Sequence, residues 1–457
     1  MKGINTWSYR PYRPLLYDVG EPYICRIAPD SGSVHFEWLA CGGEYSVFFR
    51  KRGEGEFALA GKTCECGYTL AGLEDETDYE FFVRSEKGES RTRLARTGAV
   101  PGTVVNYLHP DDEAYAFSGR YLCSPSLLAH PDGYLLASMD VFHGKMPQNL
   151  TLIFRSDDGG KSWRYLTELM PCFWGKLFLH GGEVYMLACS TEYGDLLIGK
   201  STDGGATFGA PTVLLRGANG KNGSSGVHKN PQNMLCFGGR LYGTLEWGAW
   251  ANKEYGHAAM VMSCDENADL LAPESWSFTE PVPFAHFAED VADVRIPAMT
   301  IEGTPVVSPD GNLLNIMRFS KRGYTLCYSV NTQDAEAPLE YSHVMEFPAN
   351  FSKFMIKYDS ASGYYYSIVC RLYESCPDSA RNYQTLMRSR DLEVWEDAAV
   401  LYDLRFMPAS KVGMQYVDFS FDGDDIIYLC RTAWNGAASF HDSNYSTFHR
   451  IKNFRKL

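Results

Sequence analysis

No run of 18 consecutive apolar residues occurs in the 457-residue chain, and its first stretch, MKGINTWSYRPYRPLLYDVG, lacks the apolar segment of a secretory leader. A membrane-spanning helix is thereby set aside, and no membrane partner is expected. Positive charge is scarce: 42 Lys and Arg against 56 Asp and Glu leave a net charge of −14, the wrong sign for a phosphate backbone. No nucleic acid partner is expected either. Paired cysteine motifs are missing. The 13 cysteines are odd in number and most lie in apolar runs such as YLCSP, IVCRL and YLCRT, where the thiol behaves as a small hydrophobe. Cys64-Glu65-Cys66 has the wrong spacing for a zinc knuckle, and no second pair follows. The expectation is a reduced, cytoplasmic protein with no structural metal and no cofactor. Long helical periodicity is also absent.

What the chain does contain is short strands and turns. Over residues 22–98 the segments SVHFEWLA, GEYSVFFRK, GYTLAGL, DYEFFVRS and SRTRLART alternate apolar and polar residues between glycine-rich turns, the cadence of a β-sandwich. With Trp38 on an early strand and Leu73, Tyr79 and Val83 in LAGLEDETDYEFFV, this stretch resembles a fibronectin type III module. It carries no chemical constellation, so a spacer or lid is the role expected of it. Residues 1–21 precede it as an N-terminal segment.

From residue 121 one unit recurs: apolar strand, tight glycine turn, apolar strand, polar loop, third strand. The turns HPDG, HGGE, FGGR, SPDG, SASG and FDGD carry Gly133, Gly182, Gly239, Gly311, Gly363 and Gly423, six copies at intervals of 49 to 72 residues. That is the period of propeller blades, small sheets that bury their faces only by stacking on neighbours. Two third strands run into SDDGGKSW and STDGGATF, and a worn copy reads SRDLEVW. The aspartate and serine of such a hairpin bond its backbone, glycine takes the left-handed turn, and the aromatic plugs between sheets. These hairpins resemble the Asp-boxes (BNR repeats) of sialidase-like propellers. The resemblance implies an all-β chain: a small β-sandwich followed, over 99–457, by a six-bladed propeller. The segment GTVVNYLHP is expected to supply the edge strand that closes the ring.

Counting from the marker glycines aligns the blades. Seven or eight residues after them come Asp140, Cys189/Ser190, Glu246, Arg318, Arg371 and Arg431; eight or nine before them come Ser124, Trp174, Asn230, Glu302, Met355 and Gln415, with small offsets. Three arginines and two carboxylates in one register are charged groups converging on one mouth, which points to a ligand or a reaction. Arginine's planar fork suits a carboxylate, so a glycan with an acidic sugar is the expected partner.

The sialidase resemblance implies roles for several residues. Asp140 falls where the acid/base aspartate lies, Glu246 where the glutamate lies, and Tyr416 in GMQYVDF where the nucleophilic tyrosine enters. Arg318 and Arg371 would clamp the carboxylate. The family's first arginine is missing, its place being taken by YLCSPSLL, with Arg120 or Arg431 as candidates to replace it. Trp174, Asn230, Glu302 and Gln415 are expected substrate contacts. The expected activity is an exo-acting glycosidase on a terminal acidic sugar. A second set, His228 in GVHKNPQN and His441 and Asp442 in the loop after Arg431, suits uronate β-elimination, in which a base takes the proton α to an arginine-neutralised carboxylate. A third possibility is a non-catalytic glycan binder using Trp174, Trp247, Trp250 and Trp434.

Overall fold

The computed structural model describes residues 6–8, 20–218, 223–229, 231–250, 256–284, 300–349, 351–377 and 379–457. Nearly all regular structure in them is antiparallel sheet. Two sheets come first. Tyr23–Asp30, Ser33–Leu39 and Gly67–Ala71 form one, while Tyr45–Lys51, Ala58–Thr63, Asp78–Ser85, Gly88–Glu89 and Arg93–Arg96 form the other. Their alternating inward residues, among them Ile27, Phe36, Trp38, Val47, Phe81 and Val83, share one core. Tyr79 Oη accepts the Glu74 N–H at 3.0 Å and fixes the turn ahead of its own strand.

Six further sheets follow, the blades of a propeller. Their inner strands are Tyr121–Ala129, Phe173–His180, Gly226–His228, Thr300–Val307, Lys357–Asp359 and Gly413–Asp422. All six marker glycines have positive φ, between 61° and 89°, as the turn joining each blade's first two strands requires. The ring closes as expected. Thr103–Tyr107 joins the last blade beside Tyr445–Ile451, with Tyr107 opposite Tyr445 and Phe448 opposite Thr103. At the hairpin after the third strand of blade 1, Asp158 accepts Ser162 N–H and Oγ–H at 2.9 and 2.6 Å, and Trp163 packs on Phe448 of blade 6 at 5.5 Å. The sandwich is bolted to the ring by Arg26, whose guanidinium donates to the Val104 and Val105 carbonyls, and by Trp434, whose indole donates to Ala99. Trp434 therefore braces the sandwich and does not face a sugar. The 13 cysteines are all unpaired, most of them buried in blade cores.

One irregularity recurs and positions the site. In blades 1, 2, 4 and 6 the inner strand carries an extra residue against its neighbour, between Cys123 and Ser126, Phe173 and Lys176, Ile301 and Thr304, and Gln415 and Asp418. Within each bulge one non-glycine residue adopts left-handed backbone: Ser124 (φ 50°), Trp174 (53°), Glu302 (60°) and Tyr416 (54°). Bulges re-aim side chains and gather beside active sites. The residue preceding each bulge pairs across to Asp140, Cys189, Arg318 and Arg431 respectively, which brings the two sequence registers to one end of the ring.

Candidate active site

Blades 4 and 6 supply the centre of the site through their bulges. Tyr416 Oη donates to Glu302 Oε1 at 2.7 Å, and Arg318 Nη1 donates to Glu302 Oε2 at 2.6 Å and to Tyr416 Oη at 3.0 Å. Arg318 follows Glu302 by one hairpin, so the pair is preassembled within blade 4. Its guanidinium also stacks on Phe351 at 3.7 Å. Burial pushes the Glu302 carboxyl up, but Arg318 together with His228 and Tyr416 more than offsets that and holds it below its ordinary value. Burial, then Glu302, raises the Tyr416 phenol, while Arg318, Arg381 and Arg431 pull the other way. Glu302 is thus an ionised acceptor aimed at a phenol whose anion three cations would stabilise.

Two more guanidiniums flank that phenol. Arg431 lies over the Tyr416 ring at 5.0 Å and over Phe142 at 4.6 Å, and Arg381 lies over Tyr416 at 5.3 Å and Phe440 at 5.2 Å. Arg381 donates to the Gln415 side chain and Arg431 to the His441 carbonyl. Burial drives Arg381 down to about 10, with Arg318 and Arg431 adding to the effect against Tyr416. Among the described residues the Nε of all three arginines is buried without a partner. Unmet charged donors in a buried cluster mark the place an anionic ligand would fill.

A second cluster adjoins the first. His228 Nδ1 donates to Glu246 Oε2 at 2.6 Å, and Glu246 Oε1 accepts the N–H of Gly303, the residue after Glu302, at 3.1 Å. Trp174 meets the His228 ring edge-on at 4.3 Å, and His257 lies 4.8 Å from it and bonds Tyr193 Oη at 2.9 Å. Trp250, 58% exposed, caps His257 at 4.5 Å. Burial, then His228 and Arg318, drives His257 down to about 2 and keeps it neutral.

Several expected roles change. Arg371 turns away from the cluster: it pairs with Asp397 at 2.9 Å and donates to the Pro348 carbonyl, in a blade whose inner strand carries no bulge. Arg381, from the loop before the third strand of blade 5, stands where Arg371 was expected. Glu246 does not touch Tyr416; it is fully buried on His228 and Gly303, and Glu302 is the glutamate on the phenol. Asp140 is fully buried as well, accepting Thr151 Oγ1 at 2.5 Å and the Trp174 N–H at 2.7 Å, so it braces the next blade's bulge and its oxygens do not reach the mouth surface. Burial lifts it to about 7. Arg120 pairs with Glu113 on the surface, leaving Arg431 as the third cation. Gln415 is buried behind Arg381 and is not itself a contact surface. His441 bonds Asp442 at 2.9 Å on the rim; burial, then Arg431, lowers it to about 4. Asn230 lies outside the described residues.

No family model matches this sequence, and no curated protein sequence does. Solved structures do match in shape. A leech intramolecular trans-sialidase, complexed with 2,7-anhydro-Neu5Ac, aligns with TM-score 0.51 at 9% identity over 94% of this chain and 91% of its own. A Hadza microbial sialidase gives 0.50 at 13% over 94% and 96%. The Penicillium chrysogenum α-L-arabinanase, complexed with arabinobiose, gives 0.50 at 13% over 78% and 99%. The fold is that of the sialidase-like propellers. At these identities the likeness speaks to the fold, and the chemistry has to be argued from the residues.

Proposed function

We propose that this chain is a glycoside hydrolase that releases a terminal acidic sugar through a tyrosyl-enzyme intermediate. The observation that carries the reading is Tyr416 Oη, held 2.7 Å from Glu302 and 3.0 Å from Arg318, amid three guanidiniums with unmet Nε donors. Glu302 takes the phenolic proton as Oη attacks the anomeric carbon, forming the C–O bond while the glycosidic bond breaks. A neutral phenol tolerates approach to a sugar whose own carboxylate is nearby better than a charged nucleophile does. Arg318, Arg381 and Arg431 hold that carboxylate. We assign protonation of the leaving oxygen to His228, whose Nδ1 is tied to Glu246 and whose Nε2 has no partner among the described residues. Water then attacks the intermediate and regenerates Tyr416. Glycan-binding relatives of the fold, including the sialidase and arabinanase above, support a sugar substrate, and the arginines support an acidic one.

A second reading, β-elimination next to a uronate, is favoured by one observation: the buried His228–Glu246 pair, a carboxylate-backed imidazole, couples electrostatically to Glu302. Incubation with sialylated and uronate-capped oligosaccharides in ¹⁸O-water separates the two. Hydrolysis puts heavy oxygen on the released sugar. A product lighter by one water and absorbing in the ultraviolet would replace hydrolysis by elimination. No product from any acidic glycan would leave a binding protein.

A further inference from the structure

Below the mouth, three lysines converge on one strand. Lys176 of blade 2 donates to the Asp418 carboxylate, Lys353 ahead of the blade 5 inner strand donates to the Val417 carbonyl at 3.3 Å, and Lys357 on that strand donates to the Phe419 carbonyl. Residues 417, 418 and 419 are consecutive in the blade 6 inner strand Gly413–Asp422, so the ammonium groups gather within about 7 Å of strand at ~3.3 Å per residue. Lys176 and Lys353 are 4% and 2% exposed. Asp418 is the carboxylate they share, and it also accepts the Leu127 N–H at 2.8 Å.

Charge does not balance there. Buried ions are tolerated when paired; three ammonium groups gather at the one carboxylate of Asp418, and of the other groups acting on Lys353, Glu302 is negative and the buried Lys229 positive, so cations stay in excess. Donors are in surplus too. Among the described residues Lys176 and Lys357 each make one hydrogen bond, and Lys353 makes two long ones, at 3.3 Å to Val417 and to Pro231, out of three donors per ammonium. Among the described residues Asp418 Oδ1 and Ser352 Oγ, next to Lys353 in sequence, are buried without hydrogen-bond partners, so polar atoms here are left unsatisfied. Burial, against partial rescue by Asp418, lowers Lys353 to about 7 and Lys357 to about 8.

An entrance exists on the face opposite the mouth. A pocket of about 720 Å³ is lined by Met234, Pro305, Gly311, Lys357, Tyr365 and Phe421. It includes the turn that ends the blade 4 inner strand, whose other end carries Glu302, so it opens at the far end of the axis. Lys357 belongs both to this pocket and to the lysine set.

We infer that the axial channel binds a small inorganic anion, a halide or an oxyanion, between Lys176, Lys353 and Lys357, reached through the lower pocket and separate from the sugar site. Such an anion completes the charge balance of a buried set to which blade 2 and the blade 5 segment contribute like charges. It makes propeller stability depend on anion identity.

The test uses the whole chain. Crystals soaked in sodium bromide are examined for anomalous scattering, and melting is followed in bromide, phosphate and gluconate at equal ionic strength. Gluconate, a large and weakly coordinating anion, is the control. The expected result is an anomalous peak within hydrogen-bonding reach of these ammonium groups, and a Tm that climbs with bromide or phosphate but not gluconate, as native-state binding requires. A response to bromide alone identifies a halide site, and a response to phosphate alone identifies an oxyanion site. Lys353→Met should abolish the dependence; should that variant not fold, Lys357→Met, on the partly exposed pocket wall, serves in its place. No axial peak together with equal Tm in all three salts would overturn the inference, and so would an anion dependence undiminished in the variant. In those cases the lysines shed protons instead.

Discussion

Tyr416 Oη and Glu302 Oε1 meet at 2.7 Å although 114 positions separate them, and each stands at the left-handed bulge of its own blade. Neither is a residue that adopts positive φ readily, and such backbone costs about 1–3 kcal/mol per residue. The strain is repeated at Ser124 and Trp174, so the ring spends stability at the end that carries the site. Proton transfer from a phenol to a carboxylate fits the two that meet.

Tyr416→Phe and Glu302→Gln are expected to lower kcat by roughly 10²–10⁴-fold, the range for losing a positioned proton-transfer group. Binding of the free sugar acid should survive in Tyr416→Phe, because the three guanidiniums stay in place. Single-turnover kinetics alongside calorimetric binding check both. Wild-type turnover in either variant would remove the phenol from the chemistry.

The arginines give a paired prediction. Arg381→Ala and Arg431→Ala should each raise KM for an acidic substrate about 10- to 100-fold, the worth of a charge-assisted hydrogen bond. Arg371→Ala should leave KM unchanged, since that side chain is engaged with Asp397. A KM effect at Arg371 equal to that at Arg381 would contradict the site geometry.

Asp140 supplies a pH signature. Burial raises its native carboxyl to about 7, above the ~3.9 of an unfolded chain, so the native state binds the extra proton between those values. Its stabilising contribution is therefore complete below about pH 4 and lost as pH rises through 7. Asp140→Asn, which keeps an acceptor for the Trp174 N–H, should flatten that slope and be relatively more stable at pH 8 than at pH 4. Urea unfolding of both proteins across pH 4–8 checks the sign.

Much of the ring was legible because its signals are local. Positive φ demanded glycine at six turns, and alternation of apolar residues named the strands. The site was legible only in part. Counting from glycines put Asp140, Arg318 and Arg431 in one register, each opposite the start of an inner-strand bulge, yet the same count enlisted Arg371, whose blade has no such bulge. Glu302, expected as a substrate contact, holds the phenol in place of Glu246 for the related reason that a one-residue bulge re-aims a side chain without leaving a mark in composition. Arg381 comes from a loop outside the repeat count, in SARNYQT, so the count from the marker glycines passes over it.

Ring closure rests on a close contact as well as on hydrogen bonds. A Cβ on Gly160 (φ 91°) would meet Phe448 at 2.0 Å, where the blade 1 hairpin packs on blade 6. Gly160→Ala should lower Tm by several degrees, with kcat of the folded fraction unchanged. Thermal melts with activity normalised to folded protein test this; an unaltered Tm would mean that the hairpin contributes nothing to closure.

The nucleophile itself is open to direct capture. Fluorinated glycosyl fluorides of sialic and uronic acids slow the second step of a two-step hydrolysis more than the first. After brief incubation and quench, peptide mass spectrometry should find the added sugar on the peptide holding Tyr416, and nothing on the corresponding peptide of Tyr416→Phe. A sugar attached instead to Glu302, or steady hydrolysis with no adduct at any time, would contradict a tyrosyl intermediate.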